Sequence, residues 1–314
     1  MYSIINNCQI CGNTKLVKFL NLGKQPLCDN LTNKPYSSKS YKIEIIFCNK
    51  CLTAFQKYNI HKTKLFPKSY HYRSSNTADV VNGMKNFTKE TKKMIKNLKN
   101  KKVLDIGCND GSLLDEFKKK GAITFGIEPT DAYLEAKKKG HKIYNNFIDK
   151  NIAYKLKKKK FDIITFTNVF AHINNFKELI NSLRILISKN TILVIENHYL
   201  GEVLKKNQFD TFYHEHPRTY SLNSFFHISK LLNMNIHKFS FVKRYNGNIR
   251  VFLTNKINYK IKSKLNLSLK KEKLLIKSIS TPLSKVFPYI GPSLNINIFL
   301  NFKHNISLFL LCFP

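Results

Sequence analysis

The stretch Val103 to Gly111, reading V-L-D-I-G-C-N-D-G, constrains the fold more than any other part of the chain. A short apolar strand (Val103, Leu104) runs into Asp105. Gly107 and Gly111 follow in G-x-x-x-G spacing, and an apolar helix opens at Leu113 and Leu114. Glycines between a strand and a helix let the backbone turn tightly and come close to a ligand. The next acidic signal, Glu128 in F-G-I-E-P, comes about twenty residues on, where a second strand ends and a carboxylate can accept hydrogen bonds from a ribose. This is a nucleotide-type turn.

The pattern around it alternates strand and helix. Strand Val103–Ile106, helix 112–120, strand Thr124–Ile127 and helix 131–139 are followed by strand Phe161–Phe166, helix 175–187 and strand Thr191–Glu196. Such alternation predicts an α/β fold with a doubly wound parallel sheet. Residues 1–70 are short-stranded and turn-rich. An apolar-periodic helix (Val80, Met84, Phe87, Met94, Ile95, Leu98) opens a central unit over 71–205. From 206 to 314 the pattern changes to aromatic and His-rich loops, a helix near 222–233 and a strand Arg250–Thr254, then Lys-rich and apolar sequence with no clear second sheet. Three domains are expected at these boundaries.

The formal net charge of +35 suggests nucleic acid on its face. The basic residues are nearly all Lys, however, and clusters such as Lys118–Lys120, Lys137–Lys139 and Lys157–Lys160 fall where helices and turns face solvent. Arg, the residue suited to bidentate phosphate or guanine contacts, is confined to Arg73, Arg184, Arg218, Arg244 and Arg250. Compositional drift is the favoured reading over a nucleic-acid partner, and attraction of an anionic small substrate is compatible with it. The start, M-Y-S-I-I-N-N-C, lacks the basic and apolar regions of a signal peptide, and the apolar tail Ile306 to Pro314 is about half the length needed to span a bilayer. The expected location is the cytoplasm, without membrane association. The oligomeric state is left open.

Cytoplasmic cysteines are thiols or metal ligands. Cys8-x-x-Cys11 and Cys48-x-x-Cys51 form two knuckles, each offering two thiolates to one tetrahedral ion, and Gly12 allows the tight turn. An S₄ set suits Zn²⁺, and four protein ligands leave no open position, so the expected zinc is structural. Cys28, Cys108 and Cys312 lie outside the pairs and read as small buried hydrophobes.

A dehydrogenase turn would read G-x-G-x-x-G; here only Gly107 and Gly111 are present. D-x-G-x-x-x-G with an acid at the end of the second strand resembles the class I S-adenosylmethionine (SAM) methyltransferases. The physical fit is sound. SAM has no pyrophosphate to cradle, Asp105 can meet the amino end of its methionine moiety, and Glu128 can take both ribose hydroxyls. The cofactor-binding set is thus Asp105, Gly107, Asn109, Gly111 and Glu128, with Asn168 at the end of the fourth strand, where such sites open toward substrate. His172 follows Asn168; alone it would be an ordinary helix-start histidine.

After the fifth strand come E-N-H-Y-L-G (Glu196 to Gly201) and F-D-T-F-Y-H-E-H-P (Phe209 to Pro217). In an extended segment Tyr213 and Glu215 share one face, and His214 and His216 the other. A metal site, a structural loop and a general base oriented by polar neighbours all remain readings of this cluster.

Taken together, these segments resemble a family of zinc-containing sugar C-methyltransferases, which methylate C3 of nucleotide-linked keto-deoxysugars. The resemblance rests on the first knuckle followed by N-L-G-K-Q-P-L (Asn21 to Leu27), the second knuckle, and Y-H-Y-R-S-S (Tyr70 to Ser75). It continues through the glycine turn, N-V-F-A-H-I and F-Y-H-E-H, as far as about residue 254. It implies a zinc domain, a SAM domain and a C-terminal substrate domain, with a nucleotide-linked, dTDP-type keto sugar as substrate. It also implies a general base at His216, support from Tyr213, Glu215 and His172, and substrate contacts from Tyr70 or Tyr72 and from Arg250. Two departures stand out. The family's H-G-G-S-L-R-like run reads Tyr245-Asn246-Gly247-Asn248-Ile249-Arg250 here, and the family's second α/β layer is replaced by the apolar run Ile296 to Phe313. A truncated C-terminal domain is expected. Rival readings are O- or N-methylation of another small metabolite or RNA, and an inactive truncated homologue.

Overall fold

A computed structural model describes residues 2–28 and 39–286. The run Ile296 to Phe313 and Cys312 lie outside the described residues.

The N-terminal part holds β1 (Tyr2–Ile4), β2 (Val17–Pro26), β3 (Ser40–Cys48), β4 (Thr53–Gln56), β5 (Tyr58–Ile60) and the single-turn α1 (Lys62–Leu65). A connecting loop, Tyr70 to Thr77, leads to α2 (Ala78–Ile95), which buries Val80, Met84 and Phe87. The sheet-and-helix part follows as β6 (Lys102–Ile106), α3 (Ser112–Lys118), β7 (Ile123–Ile127), α4 (Tyr133–Lys138), β8 (Lys142–Tyr144) and α5 (Lys150–Lys157). It continues through β9 (Ile163–Thr167), α6 (Phe176–Leu186), β10 (Ile192–His198) and α7 (Leu200–Lys205). The chain then runs through β11 (Arg218–Thr219), α8 (Leu222–Leu231), β12 (Asn235–Val242), β13 (Asn248–Thr254) and α9 (Tyr259–Val286).

Seven strands form one sheet in the order β12-β13-β10-β9-β6-β7-β8. The strands from β8 to β10 are all parallel; β13 runs against β10, and β12 against β13. β6, β9 and β10 are covered on both faces, which explains their adjacent apolar residues, most continuous in Ile192–Ile195. The chain order reverses between β6 and β9. In a doubly wound sheet the ligand crevice opens at that point, outside the carboxyl ends of the strands. The glycine turn, Glu128, Asn168 and His198 all sit at those ends.

The expected fold class holds, but the boundary at 205 does not follow the folded units. β12 and β13 belong to the seven-stranded sheet, while β11 pairs antiparallel with β4 in the order β11-β4-β3-β2. Residues 206–254 are therefore shared between the two sheets rather than set apart. α9 packs back on α7, α8 and β2, and its buried Glu272 accepts hydrogen bonds from the backbone N–H groups of Leu222 and Asn223 (both 2.7 Å) at the start of α8. An acid there satisfies orphan donors and complements the helix dipole.

Arg250, expected to bind substrate, is a core residue. It lies opposite Glu196 across the β10–β13 pair. Its Nη2 is 2.5 Å from the fully buried Glu196 carboxylate, and its Nη1 is 3.2 Å from Glu90 on α2. Its guanidinium also lies over the Phe87 ring. The side chain is spent on holding α2 and β10 together. Arg250→Ala is expected to lower the unfolding free energy by about 3 kcal/mol, because the buried Glu196 carboxylate loses its closest cation and keeps only the longer contacts of Arg244 and Asn248; urea denaturation measures this.

Candidate active site and zinc centre

The glycine turn takes the conformation its residues predict. Gly107 and Gly111 have φ of +73° and +80°, the left-handed region that favours glycine. A Cβ on Gly107 would come within 2.5 Å of Val169, so this glycine lets the turn pass the segment after β9. Asn109, also left-handed (φ 50°), directs its backbone N–H to Glu128 Oε2 (2.9 Å). Glu128 Oε1 accepts from the backbone N–H (2.9 Å) and hydroxyl (2.6 Å) of Thr130. Burial raises the Glu128 carboxyl above its ordinary value against these bonds. Asp105 is held by the Thr165 hydroxyl (2.7 Å) and pushed up to about 7, chiefly by burial and further by the charge of Glu128.

Two buried acids face the end of the sheet, and a cation placed there would relieve both. Opposite them, Asn168 (φ 55°) has its Oδ1 bonded by Asn248 Nδ2 (3.0 Å), while its own buried Nδ2 finds no partner among the described residues. The connecting loop closes over the turn. Asn109 Nδ2 donates to the Tyr72 carbonyl (3.0 Å), and Ser74 N–H and Ser75 N–H donate to the side chains of Asn109 and Asp110 (both 2.9 Å). The Y-H-Y-R-S-S segment thus packs on the glycine turn.

Beyond the turn, three imidazoles meet. The His216 ring lies 4.8 Å from that of His172 and 5.0 Å from that of His198, edge-on to both. His216 Nδ1 is 2.8 Å from the Thr211 carbonyl oxygen. A carbonyl only accepts, so Nδ1 carries the proton and Nε2 presents a lone pair. The Tyr213 hydroxyl donates to that Nε2 at 3.1 Å. Burial holds the His216 imidazolium down to about 4, and His198 down to about 3, where the charge of His216 adds to burial. His172 is also pulled well down, by burial and then by its two histidine neighbours. The cluster is neutral at physiological pH.

The Y-H-E-H segment is a turn, not the extended run expected. His216 N–H donates to the Tyr213 carbonyl (2.9 Å), which brings Tyr213 onto His216 and separates it from Glu215. Glu215 Oε2 accepts from the Tyr70 hydroxyl (3.1 Å) and stands 3.9 Å from His172 Nδ1, while Oε1 accepts from Cys28 Sγ (3.1 Å). Cys28 is therefore an exposed neighbour of the site rather than a buried hydrophobe. His214 turns away, its Nε2 donating to the Tyr41 carbonyl (3.1 Å), so the H-x-H pair does not converge on a metal. Of the two tyrosines in Y-H-Y, Tyr70 reaches the cluster. Tyr72 instead contacts Tyr245 and Arg244.

The turn is held by the N-terminal part. Gln56, on β4, donates from Nε2 to the carbonyls of both Tyr213 and His216, and its N–H donates to the Pro217 carbonyl (2.9 Å). β4 begins two residues after Cys51. Cys8, Cys11, Cys48 and Cys51 bring their sulfurs within 4.8 Å of one another, with Cys8–Cys51 at 3.4 Å and Cys11–Cys48 at 3.5 Å. A tetrahedral zinc with Zn–S of about 2.3 Å sets sulfurs about 3.8 Å apart, so the four fit one ion. The two knuckles are alike: Gly12 N–H donates to the Cys8 carbonyl and Leu52 N–H to the Cys48 carbonyl, each at 2.8 Å, with left-handed φ at Gly12 and Leu52. Cys48 is held far below the usual thiol range by hydrogen bonds from Cys51 and then Cys8, so one thiolate is favoured even before metal binds.

Residues 83–238 match the family model described as a methyltransferase domain, and residues 8–66 match one for a zinc binding domain. The chain has a methyltransferase domain behind a zinc binding domain. It is similar to the C-methyltransferase NovU of Streptomyces niveus, 25% identical over 231 residues, 70% of this chain and 54% of that one. It is also similar to the Ubiquinone biosynthesis O-methyltransferase of Histophilus somni (strain 2336), 37% identical over 107 residues, 31% of this chain and 44% of that one. Among solved structures, the PH0226 protein of Pyrococcus horikoshii OT3 aligns with a TM-score of 0.44 at 14% identity, covering 62% of this chain and 98% of that one. The chain spans about half the length of the curated relatives it matches.

In this domain the buried, cation-seeking pair Asp105 and Glu128 and the unpartnered Asn168 amide fit SAM, which carries an ammonium, a sulfonium and a carboxylate. Sequence reasoning missed two residues of the site. Gln56 is an isolated polar residue in an apolar strand, with no local signal that marks it. His198 had a signal, a histidine at the carboxyl end of a central strand, but without the tertiary structure nothing placed it beside His216. No helix among the described residues of this methyltransferase is long and apolar enough to cross a membrane.

Proposed function

We propose that the chain is a SAM-dependent C-methyltransferase of the cytoplasm, acting on a nucleotide-linked, dTDP-type keto-deoxysugar. The observation that carries this reading is the fixed tautomer of His216. Its Nδ1–H is anchored on a backbone carbonyl, and its Nε2 is a neutral, buried base beside the Tyr213 hydroxyl. A buried neutral imidazole is suited to taking a proton from carbon. Oxygen and nitrogen acceptors need no such base when they are already nucleophilic.

In this reading Asp105, Gly107, Asn109, Gly111, Glu128 and Asn168 hold SAM, which supplies an electrophilic methyl group. His216 Nε2 removes the proton α to the ketone. The Tyr213 hydroxyl holds the His216 ring until the substrate C–H takes its place at Nε2. Glu215 holds Tyr70 in place and faces His172, so both border the sugar. The zinc has a structural role, through β4 and Gln56.

The test is to incubate the protein with SAM and a dTDP-linked 4-keto-6-deoxyhexose. A new carbon-bound methyl by NMR is expected. With S-adenosylhomocysteine in deuterated buffer, wash-out of the proton α to the ketone is expected. A methyl found on oxygen or nitrogen, or no wash-out at all, would refute the reading.

A pH profile follows from the same geometry. Only neutral His216 acts as base, and burial holds its imidazolium to about 4. At saturating SAM, kcat/KM for the sugar should rise with pH through about 4 and stay level across the range where an ordinary histidine titrates, near 6.5. An apparent pKa near 6.5 would show that His216 is not the buried base described.

A further inference from the structure

Formation of an enolate needs a hydrogen-bond donor for the oxygen as well as a base for the proton. The ketone oxygen lies about 2.4 Å from the α-carbon, so the donor must stand close to His216. The Tyr213 hydroxyl is on His216 Nε2 and the Tyr70 hydroxyl is on Glu215. His172 Nδ1 is buried without a hydrogen-bond partner, but it faces the Glu215 carboxylate at 3.9 Å. His198 differs. It ends β10 at the carboxyl edge of the sheet, with its ring 5.0 Å from that of His216. Among the described residues neither of its ring nitrogens makes a hydrogen bond, although the ring is half-buried. Polar groups in such places are usually paired with protein, water or ligand.

Its position is also fixed from the other side. The Tyr245 ring lies edge-on at 5.3 Å, carried by a residue with φ of 49°, an uncommon conformation for a bulky side chain. Tyr199 N–H, next in the chain, donates to the Gly247 carbonyl (3.0 Å) and ties the end of β10 to the same loop. Strain of this kind is often stored at functional sites.

We propose that His198 is a catalytic residue that donates a ring N–H hydrogen bond to the substrate ketone oxygen and holds its charge as the enolate forms. This rests on the keto-sugar reading above. The α-carbon–hydrogen bond breaks, its proton goes to His216 Nε2, and its electron pair becomes the enolate. The enolate carbon takes the methyl group from SAM, whose sulfur keeps the bonding pair. His216 then returns its proton to solvent, and His198 keeps its own throughout. A neutral imidazole suits this role, because it can donate without giving its proton away, and burial keeps His198 neutral.

The experiment compares His198→Phe, which keeps a ring against Tyr245 but has no donor, with His198→Gln, which keeps an N–H. SAM titration by calorimetry first establishes that each variant binds SAM as the wild type does. The readouts are deuterium wash-out and methyl transfer on the dTDP-linked 4-keto-6-deoxyhexose. His198→Phe is expected to lose about 10²–10³-fold in both rates with little change in KM, and His198→Gln to recover at least tenfold of that loss. Phe and Gln variants of equal activity, or a Phe variant within threefold of wild type, overturn the proposal. A variant that fails to bind SAM is set aside and the other compared with wild type: a Gln variant no faster than one-thousandth of wild type counts against a donor role. If the wild type itself gives neither wash-out nor methylation, the keto-sugar reading fails, and the proposal with it.

Discussion

His216→Ala is expected to lower methyl transfer to a keto sugar by about 10²–10⁴-fold, the range for loss of a positioned general base, while SAM affinity stays within about threefold of wild type. The separation follows from the geometry. None of the hydrogen bonds that build the glycine turn and fix Glu128 involves the 213–217 turn. His216→Ala removes the base and its bond to the Thr211 carbonyl but leaves the carbonyl contacts of Gln56, which grip the backbone. Deuterium wash-out should fall in parallel with methyl transfer, because both require the same proton abstraction. His216→Ala protein that binds SAM and transfers methyl at an undiminished rate would remove His216 from the mechanism. A fall in methyl transfer without a fall in wash-out would move the base elsewhere in the cluster, to His172 or His198.

Removing zinc should have the second largest effect, and it should act at a distance. Chelation, or Cys51→Ser, is expected to reduce methyl transfer by more than about 10²-fold, a size typical of misplaced reacting groups. SAM binding should survive within about tenfold. Structural zinc contributes folding free energy directly, and here the ordered segment is β4. It starts just after Cys51, pairs with β11, and carries Gln56 to the carbonyls of Tyr213 and His216. Ser221 and Ser224, at the start of α8, reach the Cys51 carbonyl as well. Without the metal the base loses its support, whereas the turn after β6 keeps its own. Activity measured after chelation, and again after zinc is restored, checks this. Metal-free protein that keeps more than half its activity would show that β4 holds the turn unaided.

Legibility in the sequence depended on how local each signal was. The two C-x-x-C knuckles and the glycine turn were readable because their chemistry lies within a few consecutive residues whose spacing is itself the requirement. The parallel strands were readable because both faces are covered, so β6, β9 and β10 carry adjacent apolar residues such as Val103-Leu104, Ile163-Ile164 and Ile192–Ile195. β12 was not: N-I-H-K-F-S-F-V is an edge strand with one wet face and two polar interruptions, and only its pairing with β13 makes it a strand. α5 is short and buries only Ile152, Ala153 and Leu156, too little to show a period. Arg250 misled because a conspicuous arginine near a substrate loop looks the same in sequence whether it faces a ligand or a buried glutamate. The alternation rule misled at Tyr213 to His216 because a turn bond from His216 N–H to the Tyr213 carbonyl replaced the extended backbone on which the rule depends.

By itself the sequence determined the chemical vocabulary of this protein: four thiolates at metal spacing, a backbone turn that only glycine takes without strain, an acid at the next strand's end, and histidines after the fourth and fifth strands. These follow from covalent geometry and side-chain chemistry over short spans. The tertiary structure alone decided which of those groups meet. It brought His172, His198 and His216 together from three separate segments, gave the cysteine part a grip on the 213–217 turn through Gln56, and withdrew Arg250 into the core. Each of those outcomes is set by how strands far apart in the chain pair and pack. No local pattern encodes that, because the free energy of such contacts belongs to the pair and not to either segment.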